Sequence, residues 1–190
     1  NIFNTKKKRE VLMKRFIKRL TAVIMALVLT MSLSVVFANE TETFEATILF
    51  THDLHSHLLP SAKEGGGEYG GYARLMTVIN KQRQKDPYAI LVDGGDFSMG
   101  SLFQTAYTTS AIELNIMGAM GYDATTCGNH EYDYLPSGLA KMLNVASKVK
   151  APMPEIVMAN YLPPKEDEEG YDAEITEAFN NYPVKEYITL

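Results

Sequence analysis

Short apolar runs alternate with segments of helical periodicity along the chain from about residue 44 onwards. Residues 44–51 (FEATILFT) and 88–92 (YAILV) predict strands, and the second is the continuous apolar kind that is typical of a buried parallel strand. Between these two strands, apolar residues recur at helical spacing and predict a helix over about 72–85. This alternation of strand and helix favours an α/β domain.

The same pattern continues towards the end of the sequence. A glycine-rich stretch at 64–71 lacks the lysine and hydroxyl of a phosphate-binding loop, so it predicts a flexible loop. An acidic polar run at 165–174 is typical of a solvated loop. The remaining predicted elements are helices over 105–120 and 139–148 and strands over 123–126, 155–158 and 184–190.

The first 38 residues have the features of an export signal. From Met13 a basic head is followed by an apolar run over 20–37, and Val36 and Ala38 occupy the positions that signal peptidase requires. We predict that residues 1–38 are a signal peptide, with an uncleaved signal anchor as the alternative. Residues 39–190 are then placed outside the cytoplasm, as a secreted, periplasmic or cell-surface protein that meets a membrane only through its N-terminal segment.

Charge separates this leader from the body of the chain. Residues 1–38 carry eight Lys and Arg against one Glu, whereas residues 39–190 carry ten against 22 Asp and Glu, a balance of −12. Such an acidic body argues against binding to nucleic-acid polymers, which depends on Lys and Arg. A substrate that carries phosphate would need local positive charge, and bound metal cations could supply it. Cys127 is the single cysteine, which excludes an intramolecular disulfide.

Three polar clusters follow predicted strands and contain metal-ligand side chains. They are Asp53-Leu54-His55, the GGDFSMG segment with Asp96, and Gly128-Asn129-His130-Glu131. Carboxylate, imidazole and amide oxygen ligands from several strand ends suit Mn²⁺, Zn²⁺ or Fe. In an extended segment, alternate residues project to one side, so we expect the first Asp and His to reach the same ion.

The spacing of these clusters strengthens the hypothesis. They lie about 40 and 33 residues apart, and each separation accommodates one βα unit. Three of the four histidines, at 52, 55 and 57, belong to the first cluster, and the fourth is His130. The alternative is that these are ordinary loop histidines in an unrelated α/β domain.

The order D-x-H, GD-x-x-x-G and GNHE resembles the calcineurin-like metallophosphoesterases. The blocks THDLHSHL, GGYARL, LVDGGDFSMGS, GYDATTCGNHEYDY and IVMANY are similar to those of 5′-nucleotidases and their 2′,3′-cyclic-nucleotide phosphodiesterase relatives, over about 47–160. The chain departs from that pattern at three positions. His52 replaces the usual Asn, Ser56 replaces the usual Gly, and Leu135 stands where Gly often follows.

This resemblance implies a sandwich-like α/β domain with a central mixed sheet and two divalent cations. Carried over by position, Asp53 and His55 bind one metal, Asp96 bridges both, and Asn129 binds the second through its amide oxygen. A shared carboxylate can hold two cations about 3.5–4 Å apart, the spacing that clamps the attacking and leaving oxygens.

The resemblance also implies a nucleotide phosphohydrolase that uses a metal-activated water. His130 would stabilise the transferring phosphoryl group or protonate the leaving alkoxide, and Asp133 would orient its imidazole. Members of the family add later histidines and a C-terminal domain, and no histidine follows His130 here. We therefore expect 39–190 to be a truncated N-terminal part of the phosphoesterase domain whose C-terminal half is missing. The alternatives are an inactive fragment, a metal-binding pseudoenzyme and a membrane-anchored structural protein.

Overall fold

The computed structural model describes residues 12–28 and 43–190. Residues 12–28 form helix α1, which lies within the predicted signal segment and has exposed side chains. The predicted cleavage point between Ala38 and Asn39 lies outside the described residues. In the described part of the chain, no helix has the length and apolar character that a membrane span requires. The chain divides after Glu45, and the fold that follows is that of the second unit, Ala46–Leu190.

Seven strands are formed by the described residues of this second unit. In chain order they are β1 (Ile48–Thr51), β2 (Ser61–Ala62), β3 (Glu68–Tyr69), β4 (Ile90–Asp93), β5 (Ala124–Thr125), β6 (Glu155–Val157) and β7 (Val184–Lys185). Five of them make one sheet in the order β1-β4-β5-β6-β7, and every neighbouring pair is parallel. Strands β2 and β3 form a separate antiparallel pair.

These pairings confirm the predicted α/β class and correct one detail of the sheet. A mixed central sheet was expected, and the five described strands of this sheet are all parallel. The reason is that each crossover from one strand to the next contains helix, which returns the chain to the same end of the sheet. All five carboxyl ends therefore meet at one edge.

Helices connect the strands of the parallel sheet. They are α2 (Tyr72–Arg83), α3 (Tyr107–Ser110), α4 (Ile112–Met120), α5 (Leu135–Ala146) and α6 (Ala173–Asn181), with 3₁₀ turns at Leu102–Ala106 and His130–Tyr132. The helix predicted over 105–120 is divided, because Ala111 adopts a left-handed φ of 46° between α3 and α4. Helix α6 was not predicted. It begins at the end of the acidic run, where Asp172 accepts hydrogen bonds from the N–H groups of Glu174 and Ile175.

The hydrophobic core lies between the helices and one face of the sheet. Leu91 and Ile156 on the strands and Leu114 and Leu143 on the helices are fully buried. On the opposite face Phe50 is 62% exposed. The helices therefore cover one face of the sheet, and Phe50 on the other face remains accessible.

Candidate metal centre

The loops after β1 and β4 remain side by side beyond the ends of their strands. The backbone N–H of Asp53 donates to the carbonyl of Gly95 at 3.0 Å, and that of His55 donates to the carbonyl of Asp96 at 3.0 Å. The N–H of Ser56 continues the series by donating to the carbonyl of Phe97 at 2.9 Å. Two of the predicted ligand clusters are therefore held together by their backbones.

Several non-glycine residues of these loops adopt left-handed backbone conformations. The φ angles are 52° at Asp53, 46° at His55, 51° at Ser56 and 52° at Asp96. The expectation that Asp53 and His55 belong to an extended segment was therefore wrong. Left-handed residues turn the loop sharply, and such conformations persist only where surrounding contacts enforce them.

Three of the predicted site residues converge. The ligand atoms of His55, Asp96 and His130 lie within 4.8 Å of one another. The two imidazole rings meet edge to face with centroids 4.9 Å apart. The Asp96 carboxylate also accepts a hydrogen bond from the backbone N–H of His130 at 3.0 Å. One residue from each cluster thus reaches a common point.

The donor set fits a divalent cation. Two imidazoles and a carboxylate suit Zn²⁺ and other borderline metals, whose ligand atoms lie about 2.0–2.2 Å from the ion. In a tetrahedral site, ligand atoms at these distances from the ion lie about 3.3–3.6 Å from one another. The three ligand atoms here lie within 4.8 Å of one another, so His55 and Asp96 are placed to bind an ion with His130 directly beside it.

The other two predicted ligands lie beside this trio. An oxygen of Asp53 is 3.4 Å from Nε2 of His55, and the Asp53 side chain is half exposed. His52 also contacts this carboxylate, and their hydrogen bond lowers the pKa of Asp53. Asn129 is exposed where the 3₁₀ turn begins, directly before His130.

His130 and Asp133 form a pair on one side of that turn. Nδ1 of His130 lies 2.8 Å from a carboxylate oxygen of Asp133. This contact raises the pKa of His130 above its ordinary value, against a smaller opposing effect of desolvation. The structure places His130 among the converging side chains, whereas the sequence assigned it only a role in catalysis.

A fully buried carboxylate that the sequence reasoning did not assign joins the second and third clusters. Glu131 is 0% exposed and accepts hydrogen bonds from the backbone N–H groups of Asp96, Ser98 and Gly128 and from the Ser98 hydroxyl. Burial raises the pKa of Glu131, and these hydrogen bonds partly oppose the increase. The available signal was its place in GNHE, three residues after a glycine whose N–H needs an acceptor.

Asp93 is a second buried carboxylate near the same sheet edge. It accepts hydrogen bonds from the Thr51 hydroxyl at 2.6 Å, the Thr125 hydroxyl at 3.0 Å and the Gly95 N–H at 2.9 Å. Burial raises the pKa of Asp93. Its contacts join the ends of β1, β4 and β5.

Glu113, on α4, is a third buried carboxylate. It accepts a hydrogen bond from the hydroxyl of Ser56 at 2.6 Å, which attaches the first loop to the helix layer. Burial raises the pKa of Glu113 as well. Within the described residues, hydrogen bonds to buried carboxylates therefore hold each of the three loops in place.

Comparison with known proteins gives concordant matches. A family described as calcineurin-like phosphoesterase matches residues 46–189. The 5′-nucleotidase of Bos taurus is 32% identical over 137 residues, which cover 64% of this chain and 24% of that protein. The trifunctional nucleotide phosphoesterase protein YfkN of Bacillus subtilis (strain 168) is 38% identical over 101 residues, 53% of this chain and 6% of that protein.

Solved structures include a similar fold. The structure of Haemophilus influenzae NAD nucleotidase (NadN) matches with a TM-score of 0.54 and 30% identity, covering 64% of this chain and 22% of that one. The chain spans about a quarter of the length of the bovine 5′-nucleotidase and a similar share of NadN.

Proposed function

This chain belongs to the calcineurin-like phosphoesterase family, and from that premise we propose that its protein hydrolyses phosphate esters of nucleotides, as a 5′-nucleotidase or a 2′,3′-cyclic-nucleotide phosphodiesterase. The similarity to the bovine 5′-nucleotidase and to YfkN supports nucleotides as the substrate class. The proposal includes two divalent cations, of Mn, Zn, Fe or a similar metal.

One observation carries the proposal. His55, Asp96 and His130 come from three loops that are far apart in sequence, and their ligand atoms meet within 4.8 Å. Loop residues in an unrelated α/β domain would have no reason to converge in this way. The body of the chain is acidic, so cations held at this point would supply the positive charge that a phosphate ester needs.

Each metal-binding residue has a stated part in the proposal. Asp53 and His55 would hold one cation, Asp96 would give its carboxylate to both, and Asn129 would hold the second. When bound, the cations acidify a water molecule and withdraw negative charge from the phosphate. Asp96 is suited to the shared position because its backbone is fixed by hydrogen bonds on both sides.

His130 and Asp133 complete the proposed site. His130 stabilises the transferring phosphoryl group or donates a proton to the leaving alkoxide through Nε2. Its Nδ1 faces Asp133 at 2.8 Å, which would fix the orientation of the ring.

The test measures Mn²⁺ stoichiometry and phosphate release from AMP, 2′,3′-cyclic AMP and p-nitrophenyl phosphate. It uses the 190-residue chain and the product of the whole reading frame that encodes it. We expect the whole product to bind two Mn²⁺ per molecule and to hydrolyse a nucleotide, with both properties lost in Asp96→Asn. Metal binding without any hydrolysis would indicate a metal-binding protein that is not an enzyme. Absence of both metal binding and hydrolysis would refute the proposal.

Export is a separate part of the proposal. The basic and apolar segment over 1–38 would direct the chain out of the cytoplasm. N-terminal sequencing of the exported protein should give Asn39 as the first residue. An intact leader on membrane-bound protein would instead indicate a signal anchor, and an intact leader on cytoplasmic protein would contradict export.

A further inference from the structure

Both carboxylate oxygens of Glu131 accept hydrogen bonds, from Asp96 and Ser98 of the second loop and from Gly128 of its own loop. One oxygen accepts from the N–H of Ser98 at 3.0 Å and from the Ser98 hydroxyl at 2.7 Å. The other accepts from the N–H of Asp96 at 3.0 Å and from the N–H of Gly128 at 2.6 Å. A single side chain therefore satisfies three backbone amides and one hydroxyl.

Stability alone does not account for an acid at this position. A fully buried carboxylate pays a large desolvation penalty, and an apolar residue of similar volume is often as stable or more stable. The loops nevertheless present several N–H groups that need acceptors, and an ionised carboxylate binds such groups more strongly than a neutral one does. The acid is therefore suited to fixing loop geometry.

The contacts of Glu131 form a closed circuit through Asp96. Glu131 holds the backbone N–H of Asp96, and the Asp96 carboxylate holds the backbone N–H of His130, the residue before Glu131. The carbonyl of Asp96 accepts from the N–H of His55. Both the backbone and the carboxylate of Asp96 are thereby fixed relative to the two histidines.

Asp96 needs such a restraint because its φ is 52°. A non-glycine residue leaves the left-handed region unless its surroundings enforce it, and any relaxation would turn the carboxylate away from His55 and His130. The bond from its N–H to Glu131 opposes this rotation directly.

We propose that Glu131 is a positioning residue for the metal centre: it binds no cation, and it holds Asp96 in the left-handed conformation that directs its carboxylate at the site. This inference deepens the proposed function and rests on it where metal affinity is concerned. The hydrogen-bond circuit itself stands on the geometry alone.

Glu131→Gln is the informative substitution. It keeps the size of the side chain, but its NH₂ group cannot accept, so either the Ser98 pair or the Asp96 and Gly128 pair loses its acceptor. We expect the Mn²⁺ affinity of the folded 190-residue chain to fall about 10–100-fold. Hydrogen exchange of the unpaired amides should become faster by about tenfold or more. Glu131→Asp, which retains a carboxylate, should recover part of both losses and gives a second variant if the first does not fold.

Leu143→Ala is the control for lost stability. Leu143 is fully buried in α5. Its truncation to alanine removes only apolar packing. If Glu131→Gln is destabilised but binds Mn²⁺ as tightly as Leu143→Ala at equal fraction folded, Glu131 has only a structural role and the inference is wrong.

The exchange measurement separates this inference from the proposed function. If the wild-type chain binds no Mn²⁺, that result counts against the proposed function. The exchange rates of the amides bound to Glu131 still show whether the hydrogen-bond circuit exists. Faster exchange confined to the amides that Glu131 holds supports the circuit, whereas wild-type exchange in Glu131→Gln overturns it.

Discussion

Gly128→Ala is expected to disrupt the metal centre through one added methyl group. The Cβ would lie 2.1 Å from Oδ1 of Asp96, 2.7 Å from its Cγ and 2.8 Å from its backbone N. The backbone of Gly128 is not in the left-handed region, so alanine is compatible with its conformation. The effect therefore comes from steric contact with Asp96.

The size of the effect follows from that contact. Real Cβ atoms essentially never approach another atom within 3.0 Å, so the Asp96 carboxylate must move by at least 0.9 Å. Overpacking of this kind costs about 1–3 kcal/mol of stability. A displacement near 1 Å at a reacting group costs about 100-fold in rate, and we expect a similar loss of nucleotide hydrolysis.

Gly94→Ala is a matched control from the preceding loop. Its Cβ would meet Cζ of Phe50 at 2.9 Å and Cβ of His52 at 3.2 Å. The Phe50 ring is 62% exposed and free to swing away, and the contact with His52 requires a shift of only a few tenths of an ångström. Urea unfolding and calorimetric Mn²⁺ titration of both variants give the comparison. Gly94→Ala should remain close to the wild type in Mn²⁺ affinity. If Gly128→Ala also retains wild-type affinity and hydrolysis, the Asp96 carboxylate is not part of the centre.

Two further substitutions test the groups around the site. Asp133→Asn should slow hydrolysis about 10–100-fold with Mn²⁺ stoichiometry unchanged, because His130 loses the carboxylate at its Nδ1; loss of metal would instead make Asp133 a ligand. Glu113→Gln should change how stability depends on pH. Burial raises the folded-state pKa of Glu113, so its stabilising contribution is complete below the unfolded pKa and is lost as pH rises through the folded pKa. Urea unfolding should therefore show wild-type stability falling relative to Glu113→Gln as pH rises above about 4.5, and parallel profiles would contradict this.

Much of the fold could be predicted from local pattern. The described strands Ile48–Thr51 and Glu155–Val157 fall within predicted runs, and Ile90–Asp93 overlaps the run predicted over 88–92, because β-branched and apolar residues between polar loops identify buried strands. The break at Ala111 could not be predicted, since the apolar pattern runs through it and a left-handed alanine has no sequence signal. Helix α6 was missed because its capping Asp172 lies in the acidic run at 165–174, whose composition is typical of a solvated loop.

The site was predicted in outline, and its supports were not. Residue type and spacing identified the converging His55, Asp96 and His130. The buried acids Glu113 and Glu131 look like surface residues in the sequence, because charged side chains are usually exposed. Their partners are a loop hydroxyl and backbone N–H groups, and these come within reach only when loops distant in sequence have docked.

In each of the three loops, a residue that faces the site is followed directly by a fully buried residue. His55, Asp96 and His130 are partly accessible and face the common point, while the residue that follows each of them is fully buried. Those followers are Ser56, Phe97 and Glu131. Ser56 bonds to Glu113, Phe97 enters the core, and Glu131 accepts hydrogen bonds from the backbone of the second loop and of its own loop. Because each site residue and its buried neighbour are consecutive, a change in the buried residue displaces the site residue directly. The geometry of the site therefore depends as much on Ser56, Phe97 and Glu131 as on the residues that face the common point.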